Sequence, residues 1–209
     1  MQIGSYRRGE ALLAAAQQDR QARIDVYVPS QVEVILGRGS KPAEELHLSA
    51  CATDGVPVLR RRGGGCAVVL DPGNVVVLAA EHAPGIGQNK AHFARLSAWL
   101  VSSLARLGVT GLTQRGISDL ALGERKVAGA SLHRSRDSLL YSVSLLVNPR
   151  ISLMARYLKH PPREPDYRRG RSHKAFVGAL SPDFWQGNAE SLARRLEAAL
   201  KESQGRRSP

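Results

Sequence analysis

Residues 60–74 read RRRGGGCAVVLDPGN, and the chain is organised around them. Three arginines and three glycines run into the apolar segment 67–70, which Asp71-Pro72-Gly73 closes as a turn. Upstream, Gly55-Val56-Pro57-Val58-Leu59 is a turn feeding another strand. A glycine run between strands lets backbone approach a ligand closely, because no Cβ intervenes. The arginines offer planar charged forks for carboxylate or phosphate, so the stretch reads as an anion cradle in a β-rich setting. A flexible hairpin tip with a solvated edge is the competing reading. Neither the lysine-hydroxyl ending of a Walker loop nor the helix of a dinucleotide fingerprint follows.

Working outward, the pattern predicts helices over 10–21, 42–53, 88–107, 151–158 and 190–202 and strands over 24–28, 31–36, 74–80 and 138–147. The helix over 88–107 is the clearest, with Phe93, Leu96, Leu100, Leu104 and Leu107 on one face, Trp99 beside it and Gly108 as cap. Segment 118–131 reads as a hairpin turning at Gly123-Glu124, and 83–87 and the Pro- and Arg-rich 160–171 read as loops. With 209 residues, 43% of them hydrophobic, one core is expected. No run approaches the length of a membrane span and the start lacks a signal-peptide apolar region, so no membrane partner and a cytoplasmic location are expected. Two cysteines, Cys51 and Cys66, are too few for a disulfide framework. A net charge of +12 calls for an acidic partner: nucleic acid, an anionic substrate or an acidic protein. Nucleic acid is disfavoured, since 5% of residues are aromatic and no helix-turn-helix or zinc pattern is present.

Two blocks resemble the catalytic domain of lipoate-protein ligases, a fold shared with biotin-protein ligases and octanoyltransferases. The first runs RRxSGGGAVxHDxGN in that family against RRRGGGCAVVLDPGN here, the second NDLxxxGRKVSGSAxR against SDLALGERKVAGASLH. Segment 170–180, GRSHKAFVGAL, is a weaker third match, and Ile35-Leu36-Gly37-Arg38 lies upstream. The resemblance implies an α/β (α+β) fold with a mixed, mostly antiparallel sheet flanked by helices. It implies a catalytic domain over 1–185, leaving 186–209 as a helix and basic tail with no separate accessory domain.

The reaction implied is activation of lipoate or octanoate by ATP and Mg²⁺ to an acyl-adenylate, then transfer to a lysine of an acidic lipoyl-domain protein. By the resemblance Lys126 is catalytic, its ammonium bridging the acid and the α-phosphate; alone in a hairpin it would be a surface charge. Arg61, Gly64, Gly65, Cys66, Ala67, Val68, Val69 and Gly129 match the nucleotide and acyl-adenylate site. Arg38, Arg62, Gly63 and His133 are candidates for the acyl pocket. Asp119 matches the acid of Asn-Asp-Leu, a Mg²⁺ ligand or a turn cap. A monomer is expected, with a small accessory subunit supporting adenylate formation.

The chain departs from the pattern at Gly63 for serine, Cys66 for the third glycine, Leu70 for histidine, His133 for arginine and Tyr141-Ser142 for a His-His pair. The Asn-x-Ala-x-Glu pattern is missing from the opening helix. Cys66 raises the thiolate route of octanoyltransferases, although their nucleophile follows the lysine block and no Cys follows Lys126. Against GRGRxGR of biotin ligases, Gly37-Arg38-Gly39-Ser40-Lys41-Pro42 stops matching after three residues.

Overall fold

In the computed structural model, which describes residues 2–85, 87–135 and 137–205, strand β1 (Gly4–Ser5) leads to α1 (Glu10–Asp19), β2 (Arg23–Tyr27) and β3 (Glu33–Leu36). The segment expected as one helix over 42–53 is instead α2 (Pro42–Glu45) and α3 (Leu48–Thr53). Between them Leu46 is extended, at φ −121° and ψ 147°. Its backbone bridges Leu158, and the adjacent His47 N–H donates to Tyr157 O at 2.9 Å. A buried apolar residue with a tertiary backbone partner outweighs the modest helix propensity of this stretch.

There follow β4 (Val58–Arg60), β5 (Val68–Leu70), β6 (Asn74–His82), α4 (Asn89–Arg106), β7 (Leu112–Arg115), β8 (Asp119–Leu122), β9 (Arg125–Ser135) and β10 (Ser138–Leu146). Helices α5 (Ile151–Tyr157), α6 (His173–Phe176) and α7 (Ala189–Gly205) complete the chain. Strands β1 and β7 have no counterpart in the sequence reading, being two residues long and largely polar respectively. The basic tail over 206–209 lies outside the described residues.

The strands form two sheets. One is antiparallel throughout, in the order β2-β6-β10-β9-β8-β7. The other, β1-β4-β3-β5, is mixed: β4 runs parallel to β1 and β3, and β5 antiparallel to β3. The unbroken apolar run of β6 follows from its place between two cores. Val75, Val77 and Ala79 face α4 and α7, whereas Val76, Leu78 and Ala80 face α1 and the second sheet. On α7, Leu192, Leu196 and Leu200 are wholly buried against the first core, so the helix of 186–209 is built into it. Truncating one such leucine to alanine costs roughly 2–5 kcal/mol. A third core, with Leu36, Leu46, Tyr157 and Phe176, lies under α3 and α5. No described helix is long and apolar enough to cross a membrane.

Candidate active site

The glycine loop is held by its own arginines. Arg60 Nη1 donates to the carbonyls of Gly37 (2.8 Å), Ser40 (2.9 Å) and Arg38 (3.2 Å). Arg61 donates to Ile35 O (3.1 Å), Gly64 O (2.6 Å) and Cys66 O (3.0 Å), and burial draws its pKa down to about 10. Arg62 pairs with Glu10 at 3.1 Å near the surface. The forks read from sequence as ligand donors are therefore engaged within the protein: two fold the loop by satisfying carbonyls that glycine leaves exposed. A Cβ on Gly37 would lie 1.8 Å from Gly65 O, and Gly65 has φ +91°, so both positions demand glycine. Beside them Glu45, 5% exposed, accepts the Ala67 N–H at 2.5 Å. Sequence reasoning missed Glu45, a carboxylate in a short polar helix with no periodicity to mark it as buried.

Lys126 owes its place to a bulge. The β8–β9 register slips between Leu120 and Ala121, leaving Val127 as an extra residue on β9. Lys126 Nζ sits 2.7 Å from Asp119 Oδ1, while Tyr167 OH donates to Asp119 Oδ2 at 3.0 Å. The side chain of Asp119 is only 8% exposed. A Cβ on Gly129 would come 2.9 Å from Lys126 Nζ, so the glycine makes room for the ammonium. On the far side Val177 bridges Lys126, and Gly178 N–H donates to Lys126 O at 2.8 Å. The third sequence block thus clips onto the second. Both Asp119 oxygens are engaged, by Lys126 and Tyr167, and among the described residues no group of three or more His, Cys, Asp or Glu could hold a metal, so a Mg²⁺ at Asp119 would take its other ligands from nucleotide phosphates and water.

These parts border one cavity of about 590 Å³. Gly65, Cys66, Ala67, Val68 and Val69 line it from the loop, with Arg61, Asp119, Lys126 and Gly129. A small cavity of about 30 Å³ adjoins it, lined by Arg62, Gly63 and His133 and sharing Tyr6, Arg61, Ser131 and Ser142 with the larger one. Burial, then the charges of Arg62 and Arg38, lower the His133 pKa, which favours neutral imidazole. Gly64 and Arg38 are exposed and line neither cavity. The remaining sequence candidates converge there.

Residues 7–201 match the family model of the lipoyl protein ligase A/B catalytic domain. The chain belongs to this family. Its fold is similar to the bipartite lipoate protein ligase solved with its E2 lipoyl domain from Thermoplasma acidophilum: TM-score 0.79, 22% identity, 94% of this chain and 76% of that one. A lipoate-protein ligase A bound with ATP gives a TM-score of 0.77 at 21% identity, over 94% and 78%. A T. acidophilum structure with bound lipoic acid also gives 0.77, at 20% identity, over 98% and 83%. A protein from Aeropyrum pernix named "Putative lipoate-protein ligase A" is 35% identical over 115 residues, 54% of this chain and 42% of that relative's length.

Within this lipoyl protein ligase A/B domain the departures have physical partners. A Cβ on Gly63 would meet Ser131 Oγ at 2.9 Å, so the loop and β9 pack there without a side chain between them. Tyr141 is a core residue whose hydroxyl, 3.3 Å from Ser97 Oγ, burial pushes up to about 12; its neighbour Ser142 faces both cavities. Leu70 joins the core between the sheets and lines the main cavity. Cys66 Sγ lies 3.6 Å from Arg163 O. The segment over 160–171 is closely built: Tyr167 and Arg168 are buried in a 3₁₀ turn, and Gly170 N–H donates to Glu164 Oε1 at 2.8 Å.

Proposed function

We propose that this domain joins lipoate or octanoate to a lysine of a lipoyl-domain protein in two steps. The acid's carboxylate oxygen attacks the α-phosphorus of ATP, forming the acyl-adenylate and releasing pyrophosphate. The acceptor amine then attacks the acyl carbon, losing a proton as AMP departs. Mg²⁺ would travel with the nucleotide's phosphates. The observation that carries this reading is the Lys126 ammonium, fixed by Asp119 at 2.7 Å on the wall of a cavity bounded by the glycine loop. Negative charge grows on oxygen in both steps, and a preorganised cation beside it lowers both barriers. Val69, Leu70, Val76 and Leu146 give the wall the apolar surface an acyl chain needs. Relatives with the same fold hold ATP or lipoic acid, and the net charge of +12 suits an acidic acceptor.

The test is mass spectrometry of an acceptor lipoyl domain after incubation with the protein, ATP, Mg²⁺ and each acid. One acyl group should appear on one lysine. Lys126→Ala should slow its appearance at least ~100-fold with the fold intact. Lys126→Arg should not restore it, because a planar fork cannot replace a compact ammonium. Normal acylation by Lys126→Ala refutes the reading.

A further inference from the structure

Arg168 is 5% exposed and borders the main cavity. Its Nε donates to Arg171 O at 3.0 Å and lies 3.4 Å from Glu164 Oε2, and its guanidinium stacks 5.0 Å from the Phe176 ring centroid. Arg171 answers by donating its own Nε to Arg168 O at 3.0 Å. The staple fixes the guanidinium, yet Nη2 is buried with no hydrogen-bond partner. An unmatched charged donor away from water is costly, and a fold retains one where a ligand completes it. Glu164 and, less strongly, Asp119 balance part of the charge, but Glu164 stands at 3.4 Å, too long for a strong bond, and no hydrogen bond joins Asp119 to Arg168.

The surroundings point to an anion. Arg163 lines the same loop wall, and the charges of Arg168 and Lys126 both bear on the His173 imidazole, which burial, Arg168, His160 and Lys126 push down to about 4. Glu164 and Asp166 share the wall, so the attraction is local to Arg168. Asp119 orients Lys126, and Arg168, on a separate element, borders the same cavity.

We propose that Arg168 is a phosphate-binding residue, its guanidinium taking an oxygen of the β- or γ-phosphate of a bound nucleoside triphosphate, and hence of departing pyrophosphate. This rests on the adenylate-forming reading above. It assigns a task to the loop over 160–171: to hold the leaving group while Lys126 serves the reacting centre.

The experiment titrates three probes separately by calorimetry: inorganic pyrophosphate with Mg²⁺, AMP, and octanoate. In Arg168→Met, which keeps an unbranched side chain against Phe176, loss of one charge-assisted bond should weaken pyrophosphate at least ~10-fold. AMP and octanoate should hold within about twofold, a difference too small to represent a lost ionic bond. Arg168→Lys should recover part of the pyrophosphate affinity. Unchanged pyrophosphate binding in a folded variant overturns the proposal, as does a loss that falls on octanoate or AMP instead. Should Arg168→Met fail to fold, pyrophosphate-induced thermal stabilisation of wild type against Arg168→Lys decides; equal shifts overturn it. Because no probe turns over, failure here is distinct from failure of the ligase reading, which shows in acceptor acylation by wild type.

Discussion

Gly129→Ala puts the smallest side chain where it matters most. The new Cβ would stand 2.9 Å from Lys126 Nζ, 3.0 Å from Cε and 3.8 Å from Asp119 Oδ1. Ordinary contact begins at 3.4 Å, so the ammonium must retreat about half an ångström, and its 2.7 Å pairing with Asp119 stretches or turns. The atom that yields is the tip of a flexible side chain, so the fold hardly suffers. Loss of glycine also stiffens the unfolded chain, contributing about 0.4–1 kcal/mol in favour of the native state. The rate should respond differently: a misplacement of up to an ångström at a reacting centre costs up to ~100-fold. Single-turnover assays of adenylate formation and of transfer from synthetic acyl-adenylate should both slow by roughly 10- to 100-fold, with a melting temperature no lower than that of wild type. Wild-type rates in this variant would mean that the position of Lys126 does not set the chemistry. A collapse in melting temperature would mean that the glycine serves the sheet.

Cys66→Ser should retain acylation with no thioester trapped on the protein, because in the proposed reaction Lys126 and the nucleotide carry the chemistry; loss of activity, or an acyl adduct on Cys66 in wild type, favours the transferase route. A pH effect follows from His173, whose folded pKa of about 4 lies below the ordinary 6.5. The unfolded chain binds the extra proton first, so stability is full above about 6.5 and falls as pH drops toward 4. Denaturant titrations across that window should show a shallower loss for His173→Gln than for wild type; parallel curves refute the assignment.

What the sequence made legible was what a period or a motif encodes. The helix over 88–107 stands as α4 with Leu96, Leu100 and Leu104 buried, and the 118–131 hairpin turns at Gly123. The segment over 74–80 is the strand shared by two cores. Residues that act through tertiary contact were not legible. Arg60 and Arg61 read as ligand forks because composition cannot reveal that carbonyls of the same loop would take their donors. Leu46 breaks a helix through a partner more than a hundred positions away. Tyr167 and Arg168 sat in an apparent loop, where Tyr167, the one aromatic among polar and proline neighbours, was the signal that the segment is anchored.

The clip between Gly178 N–H and Lys126 O is made by backbone alone. So are the acceptors of Arg60 and Arg61, all of them main-chain oxygens. A frame of this kind places few demands on which side chains its neighbours carry, so loops can drift in composition while the lysine keeps its station. Segments over 160–178 exchanged between relatives should therefore remain compatible with the strand they grip, provided they keep their length, the hydroxyl that meets Asp119 and the buried ring at Phe176. Inserting a single residue before Val177 would be more disruptive than replacing several, since it would move the grip along β9 and carry Lys126 out of line with Asp119.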